Sequence, residues 1–97
     1  MGSNITDSFD IQKILYNEEI ETDIIKINKG MDYSEIVKTT TLIIVAKGIV
    51  ELKYSFNNNF TKYVRISDNE AFYFKKGSSF SLKGINKSKV IKIKIFQ

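Results

Sequence analysis

The side chains able to do chemistry in this chain form a short list, and two of the most versatile are missing. Its 97 residues include no histidine and no cysteine. That excludes imidazole and thiolate metal sites, cysteine nucleophiles, disulfides, and every triad or dyad that relays a proton through histidine. Acid–base work would fall to 11 carboxylates, 5 tyrosines and the lysines. Lysine and arginine total 15, all of them lysine except Arg65, for a formal charge of +4. The cations run the length of the chain without forming a block. Arginine, the better partner for phosphate and guanine, is nearly absent. A solvated surface therefore accounts for the basicity better than a nucleic-acid footprint. Arg65 and Tyr63 share one strand face and are residue types enriched at contact centres, with simple solvation the weightier reading.

The elements that must position these groups read as strands. A chain of this length has room for one hydrophobic core, so residues 1–97 are expected to form a single domain, with residues 1–9 as a flexible N-terminus. The longest apolar run, Leu42 to Ala46, is far short of the ~20 residues of a membrane span, and the opening MGSNITDSFD lacks the regions of a signal peptide. A cytoplasmic protein with no membrane partner is expected. Short runs rich in Ile, Val, Phe, Tyr and Thr recur between clusters of Gly, Asn, Asp, Ser and Lys, the spacing of an all-β sandwich or barrel.

Residues 10–21 fit either a short helix capped by Asp10 or a strand ending at Asn17. Ile25 and Ile27 alternate with Lys26 before a turn at Asn28-Lys29-Gly30. Residues 40–46 suit a strand buried on both faces, and Lys47-Gly48 a tight turn. Val50, Leu52, Tyr54 and Phe56 then alternate with polar residues, and a hairpin through Asn57-Asn58-Asn59 leads to Val64 and Ile66. In the last strand Ile91, Ile93 and Ile95 are expected in the core, with Lys92 and Lys94 in water.

The stretch TLIIVAKGIVELKYSF, followed by a hairpin and ISDNEAFYFKKGSSFSL, resembles the small β-barrel of the cupin superfamily. More narrowly it resembles the N-terminal sensor domain of AraC-type bacterial transcription regulators, over about residues 20–96. The motif rests on Gly48 after a hydrophobic strand, the polar turn Asp68-Asn69-Glu70, four bulky residues and Gly77. The second cupin motif, laid on this chain, falls on Asn69, Lys75, Gly77, Phe80 and Gly84, where only Gly77 matches. The first ends at Gly48 and sets its glutamate at Thr41 and its histidines near Glu35 and Val37, so no metal ligand of the family is retained.

The resemblance implies an all-β fold, a small cupin-like β-barrel or jelly roll with a short N-terminal helix or strand. It further implies a regulatory domain that senses a small molecule, dimerises, or both. No enzyme activity, metal or cofactor is expected, and DNA would be bound only through a helix-turn-helix region outside this chain. Glu35, Val37, Thr41 and Phe80 would line the former metal end of the barrel, with Tyr54 and Tyr73 pointing inward. Glu35, Thr41, Tyr54, Tyr73 and Phe80 are then the candidate contacts to a sugar-like ligand, although filling of the core is the more common role for such rings. A homodimer is expected through the edge of strand 40–46 or of the last strand, with lysines 53, 92 and 94 guarding the open faces. The rival is an OB-like basic barrel that binds single-stranded nucleic acid, which requires Tyr54, Tyr63 and Phe72 exposed together beside lysines.

Overall fold

The computed structural model describes residues 9–57 and 60–96. The described residues form nine strands: β1 (Phe9–Tyr16), β2 (Ile20–Ile27), β3 (Asp32–Ile36), β4 (Thr40–Lys47), β5 (Ile49–Phe56), β6 (Lys62–Ser67), β7 (Ala71–Phe74), β8 (Ser78–Gly84) and β9 (Ser88–Ile95). They make two antiparallel sheets, a five-stranded one in the order β1-β2-β9-β4-β7 and a four-stranded one in the order β3-β8-β5-β6. The all-β expectation holds. Apart from Phe9, where β1 begins, the expected flexible N-terminus lies outside the described residues. Among the described residues no helix is long and apolar enough to cross a membrane.

Local chemistry explains the turns. The ambiguous segment 10–21 is strand because Asn17 ends it: its Oδ1 accepts from the amides of Glu19 and Ile20 at 2.8 and 2.9 Å, and its own amide donates to the Ile20 carbonyl. Between β4 and β5, Gly48 has φ of 97° and its amide donates to Asp68 Oδ1 at 2.7 Å. A Cβ there would meet Ser88 Oγ at 2.5 Å, Asn86 Oδ1 at 2.8 Å and the Lys87 carbonyl at 2.9 Å. Gly48→Ala therefore combines a left-handed backbone with a steric collision, and a loss of at least about 2 kcal/mol is expected in urea unfolding.

The core lies between the sheets. Ile25, Ile27, Ile43, Val45, Val90 and Phe74 face Val50, Leu52, Ile66, Phe80 and Leu82, all buried. Each buried aliphatic side chain of this kind contributes about 1.5–3 kcal/mol. The hairpin of β5 and β6 alternates as expected, with Val50, Leu52, Val64 and Ile66 inward and Arg65 and Tyr63 exposed.

The last strand does not. In β9 the inward residues are Val90, Lys92 and Lys94, whereas Ile91, Ile93 and Ile95 lie on the outer face, half-buried. Alternation fixes which residues share a face but not which face turns inward. Here the interior chooses the lysines because it already holds carboxylates from β2 and β3. Strand β4 is likewise fully buried on one face only: Thr41, Ile43 and Val45 are buried, and Leu42 and Ile44 only partly. Both strands are internal to their sheet, β9 between β2 and β4, and β4 between β9 and β7, so neither offers the open edge expected for dimer pairing.

Candidate functional site

The inward positions of β2 run Ile27, Ile25, Asp23, Glu21, so the floor of the barrel changes from apolar to acidic toward one end. Next to β2 in the sheet, Asp23 pairs in register with Lys92 and Glu21 with Lys94. From the opposite sheet β3 adds Tyr33 and Glu35. Lys92, only 4% exposed, donates to Glu35 Oε1 and, at 2.6 Å, to the Tyr33 hydroxyl, which in turn donates to Glu35 Oε1 at 2.6 Å. The three groups close a triangle. Lys92 Nζ also lies 5.1 Å from the centre of the Tyr33 ring. Lys94 reaches the other carboxylate oxygen, Oε2, at 3.3 Å. A second cluster adjoins it, in which Lys13 of β1 bonds Glu21 and lies 3.3 Å from Asp23.

An ammonium buried to this degree persists only where its charge is matched and its protons are accepted, which Glu35 and Tyr33 accomplish together. Burial alone would raise the carboxyl pKa of Glu35, but the hydrogen bonds from Lys92 and Tyr33 outweigh it and hold the group below the usual range. Burial, followed by the bond to the Glu35 carboxylate, pushes Tyr33 well above an ordinary phenol.

Both shifts carry a pH dependence. A carboxyl depressed in the native state stabilises the fold above its unfolded value of ~4.3, and that contribution is lost as pH falls through the native pKa. A phenol raised in the native state stabilises it below its unfolded value of ~10, and that contribution is lost above this pH. Unfolding free energy measured by urea titration is thus expected to be flat across the neutral range, with an acid limb that flattens in Glu35→Gln and an alkaline limb that flattens in Tyr33→Phe.

Beside the triangle an open cleft of about 1150 Å³ is lined by residues that include Glu35, Thr39, Tyr54, Phe80, Lys94 and Phe96. Of the residues singled out in the sequence, Glu35, Tyr54 and Phe80 meet there. Phe80 is 3% exposed and stacks on Phe74 with 4.6 Å between ring centres, so it forms the floor as part of the core. Thr41 is fully buried and donates to the Thr39 carbonyl at 2.9 Å, below the cleft. Val37, too, is buried in the core. Tyr73 is the exception: in β7 it pairs with Leu42 on the outer face and is 57% exposed, so it does not line the interior. The alternation Phe72, Tyr73, Phe74 gives the inward places to the two phenylalanines.

Tyr33, Lys92 and Lys94 were missed by sequence reasoning. The available signal was β2: once Ile25 and Ile27 point inward, the same period places Asp23 and Glu21 inward, and interior carboxylates require interior cations. The nucleic-acid reading loses its platform, because Tyr54 and Phe72 pack against the core and only Tyr63, of the three rings it needs, is exposed.

The donor set does not fit a divalent cation. Glu35 is the only carboxylate among the four positions that the cupin pattern gives to metal ligands, both its oxygens face ammonium groups, and the other three are Val37, Thr41 and Phe80. Among the described residues no group of carboxylates, histidines or cysteines gathers as a metal site would require.

No protein-family model matches the sequence, and no curated protein matches it. Solved structures do. A cupin superfamily protein of Desulfitobacterium hafniense aligns with a TM-score of 0.80 at 9% identity, covering 98% of this chain and 84% of its own. KdgF from Halomonas sp. aligns at 0.79 and 13% identity, with 98% and 84% covered. Hydroxypropylphosphonic acid epoxidase from S. wedmorenis aligns at 0.79 and 8% identity, covering 92% of this chain and 51% of the epoxidase. The fold is the cupin jelly roll. These likenesses correct the expectation that the chain is no enzyme: the same fold carries an epoxidase, so the fold leaves catalysis open.

Proposed function

We propose that this chain is a small-molecule-binding cupin domain that acts as the effector-sensing module of a regulator resembling the AraC type. The observation that carries the reading is the open cleft whose carboxylate, Glu35, is held in place by Lys92 and Tyr33 beside the rings of Tyr54 and Phe80. Its volume of about 1150 Å³ accommodates a small ligand with solvent around it. The half-buried rings of Tyr54 and Phe96 cover the C–H face of a sugar-like ring over a floor closed by buried Phe80, while a fixed carboxylate accepts from hydroxyls and Lys94 donates to an oxygen. Since Glu35 is already oriented by its partners, binding costs little ordering at that side chain.

The test is calorimetric titration with neutral hexoses and with hexuronic acids, on wild type and on Lys94→Gln. That substitution leaves the Lys92–Glu35–Tyr33 triangle in place. Binding by wild type that weakens at least about tenfold in Lys94→Gln, equivalent to about 1.4 kcal/mol, supports the reading. No heat from either sugar class, or equal affinity in the variant, overturns it.

A further inference from the structure

Resting on the sugar-binding reading of the cleft, we infer that its ligand is a glycoside rather than a free sugar, and that a second hollow, at the tip of the β5–β6 hairpin, holds the aromatic aglycone. This hollow, of about 410 Å³, is lined by Tyr54, Ser55, Phe56, Phe60 and Lys62. Tyr54 and Ser55 also line the cleft, so the two spaces meet along this stretch of β5. Phe60 is 90% exposed and Phe56 39%. One exposed ring is ordinary on a protein surface. Two rings left out of the core, beside a third that borders the cleft, form an apolar wall next to the place assigned to a sugar.

Local structure holds two of these rings in place. Tyr54 pairs in register with Lys62, and its ring centre lies 4.7 Å from that of Phe72 and 6.0 Å from that of Phe74, which anchors it to the aromatic cluster of the core. Phe56 ends β5 against the turn before β8: the amide of Asn57 donates to the Gly77 carbonyl at 3.1 Å, and Lys75 Nζ lies 5.4 Å from the centre of the Phe56 ring. A Cβ on Gly77, where φ is 99°, would stand 3.3 Å from Phe56 Cε1, so glycine lets the ring lie close on the turn. Phe60 completes the wall across the hairpin. A glycoside spans both spaces, its sugar hydroxyls at Glu35 and Lys94 and its aglycone packed offset or edge-on against Phe56 and Phe60. Burying the aglycone there removes from water apolar surface that a free sugar leaves exposed. Lys62 favours the π face of an aromatic ring over an alkyl chain.

Calorimetric titration of wild type and Phe60→Ser with the methyl and 4-nitrophenyl glucosides, and with the corresponding glucuronides, tests it. Wild type is expected to bind a 4-nitrophenyl glycoside at least about tenfold tighter than its methyl counterpart, and Phe60→Ser to lose that advantage while binding the methyl glycoside as wild type does. With Phe60 so exposed, the substitution is expected to leave the thermal midpoint unchanged. Equal affinity for methyl and aryl glycosides, an aryl advantage that persists in Phe60→Ser, or 4-nitrophenol binding as tightly as its glycosides overturns the inference; where the methyl glycoside binds, the sugar reading of the cleft still stands. Absence of heat from every methyl and aryl glycoside overturns the sugar reading itself, and the inference with it.

Discussion

Replacing Lys92 by Met is expected to destabilise the protein by about 3–5 kcal/mol, the cost of leaving a buried charge without its partner. Glu35 would remain in the interior with its Oε1 facing only the Tyr33 hydroxyl, and Lys94 at 3.3 Å from Oε2 is too exposed to replace the lost cation fully. Loss on this scale is a large part of the total stability of a small domain, roughly 5–15 kcal/mol. The double variant Lys92→Met/Glu35→Leu removes both charges and is expected to recover most of the loss, since well-packed apolar replacements for a buried pair are commonly neutral or better. Urea unfolding of wild type, the two single variants and the double variant completes the cycle, and a coupling of at least about 2 kcal/mol is expected. Additive single effects would mean that the two side chains act independently.

Phe74→Ala is expected to cost about 3–5 kcal/mol by the loss of buried area and the cavity that follows. Phe74 is 2% exposed and sits at the centre of the aromatic cluster, stacked on Phe80, with ring centres 5.2 Å from Phe72 and 6.0 Å from Tyr54. The rings link the apolar half of the barrel to the cleft, so the variant is expected to loosen the site as well as the core. At roughly 4–8 °C per kcal/mol for a domain of this size, the thermal midpoint falls by more than about 12 °C. Phe74→Leu, which keeps most of the volume, is expected to lose under about 1.5 kcal/mol. Differential scanning calorimetry of the two variants separates the cavity from a general intolerance of substitution.

The parts of this fold that could be read from the sequence are those fixed by local rules. The turn at Gly48, the alternation of β5 and the register-setting asparagine at 57, with φ of 52°, follow from residues within a few positions of one another. What could not be read depends on partners far apart in the chain. In β9 the isoleucines and the lysines form two equally regular sets, and hydropathy alone assigns the isoleucines to the interior. The decision lies with Glu35, 57 residues away from Lys92, and with Asp23 on the neighbouring strand. Tyr73 was misplaced because all four residues of the strand Ala71–Phe74 are apolar or aromatic, which leaves the alternation without a polar marker. Glu35 was identified as a candidate, but its environment was not, because β3 reads as an exposed edge strand until Tyr33 and Lys92 are known to close over it.

The inward placement of Lys92 underlies the reading of the cleft and the pH dependence alike. Competitive labelling of the native protein with an amine-reactive ester, read lysine by lysine in proteolytic fragments, tests it most directly. Exposed Lys53 and Lys89 are expected to react freely, while Lys92, buried and held by Glu35 and Tyr33, stays unmodified until the protein is unfolded. Labelling of Lys92 at the rate of Lys89 would mean that β9 presents its isoleucines to the interior, which contradicts the account.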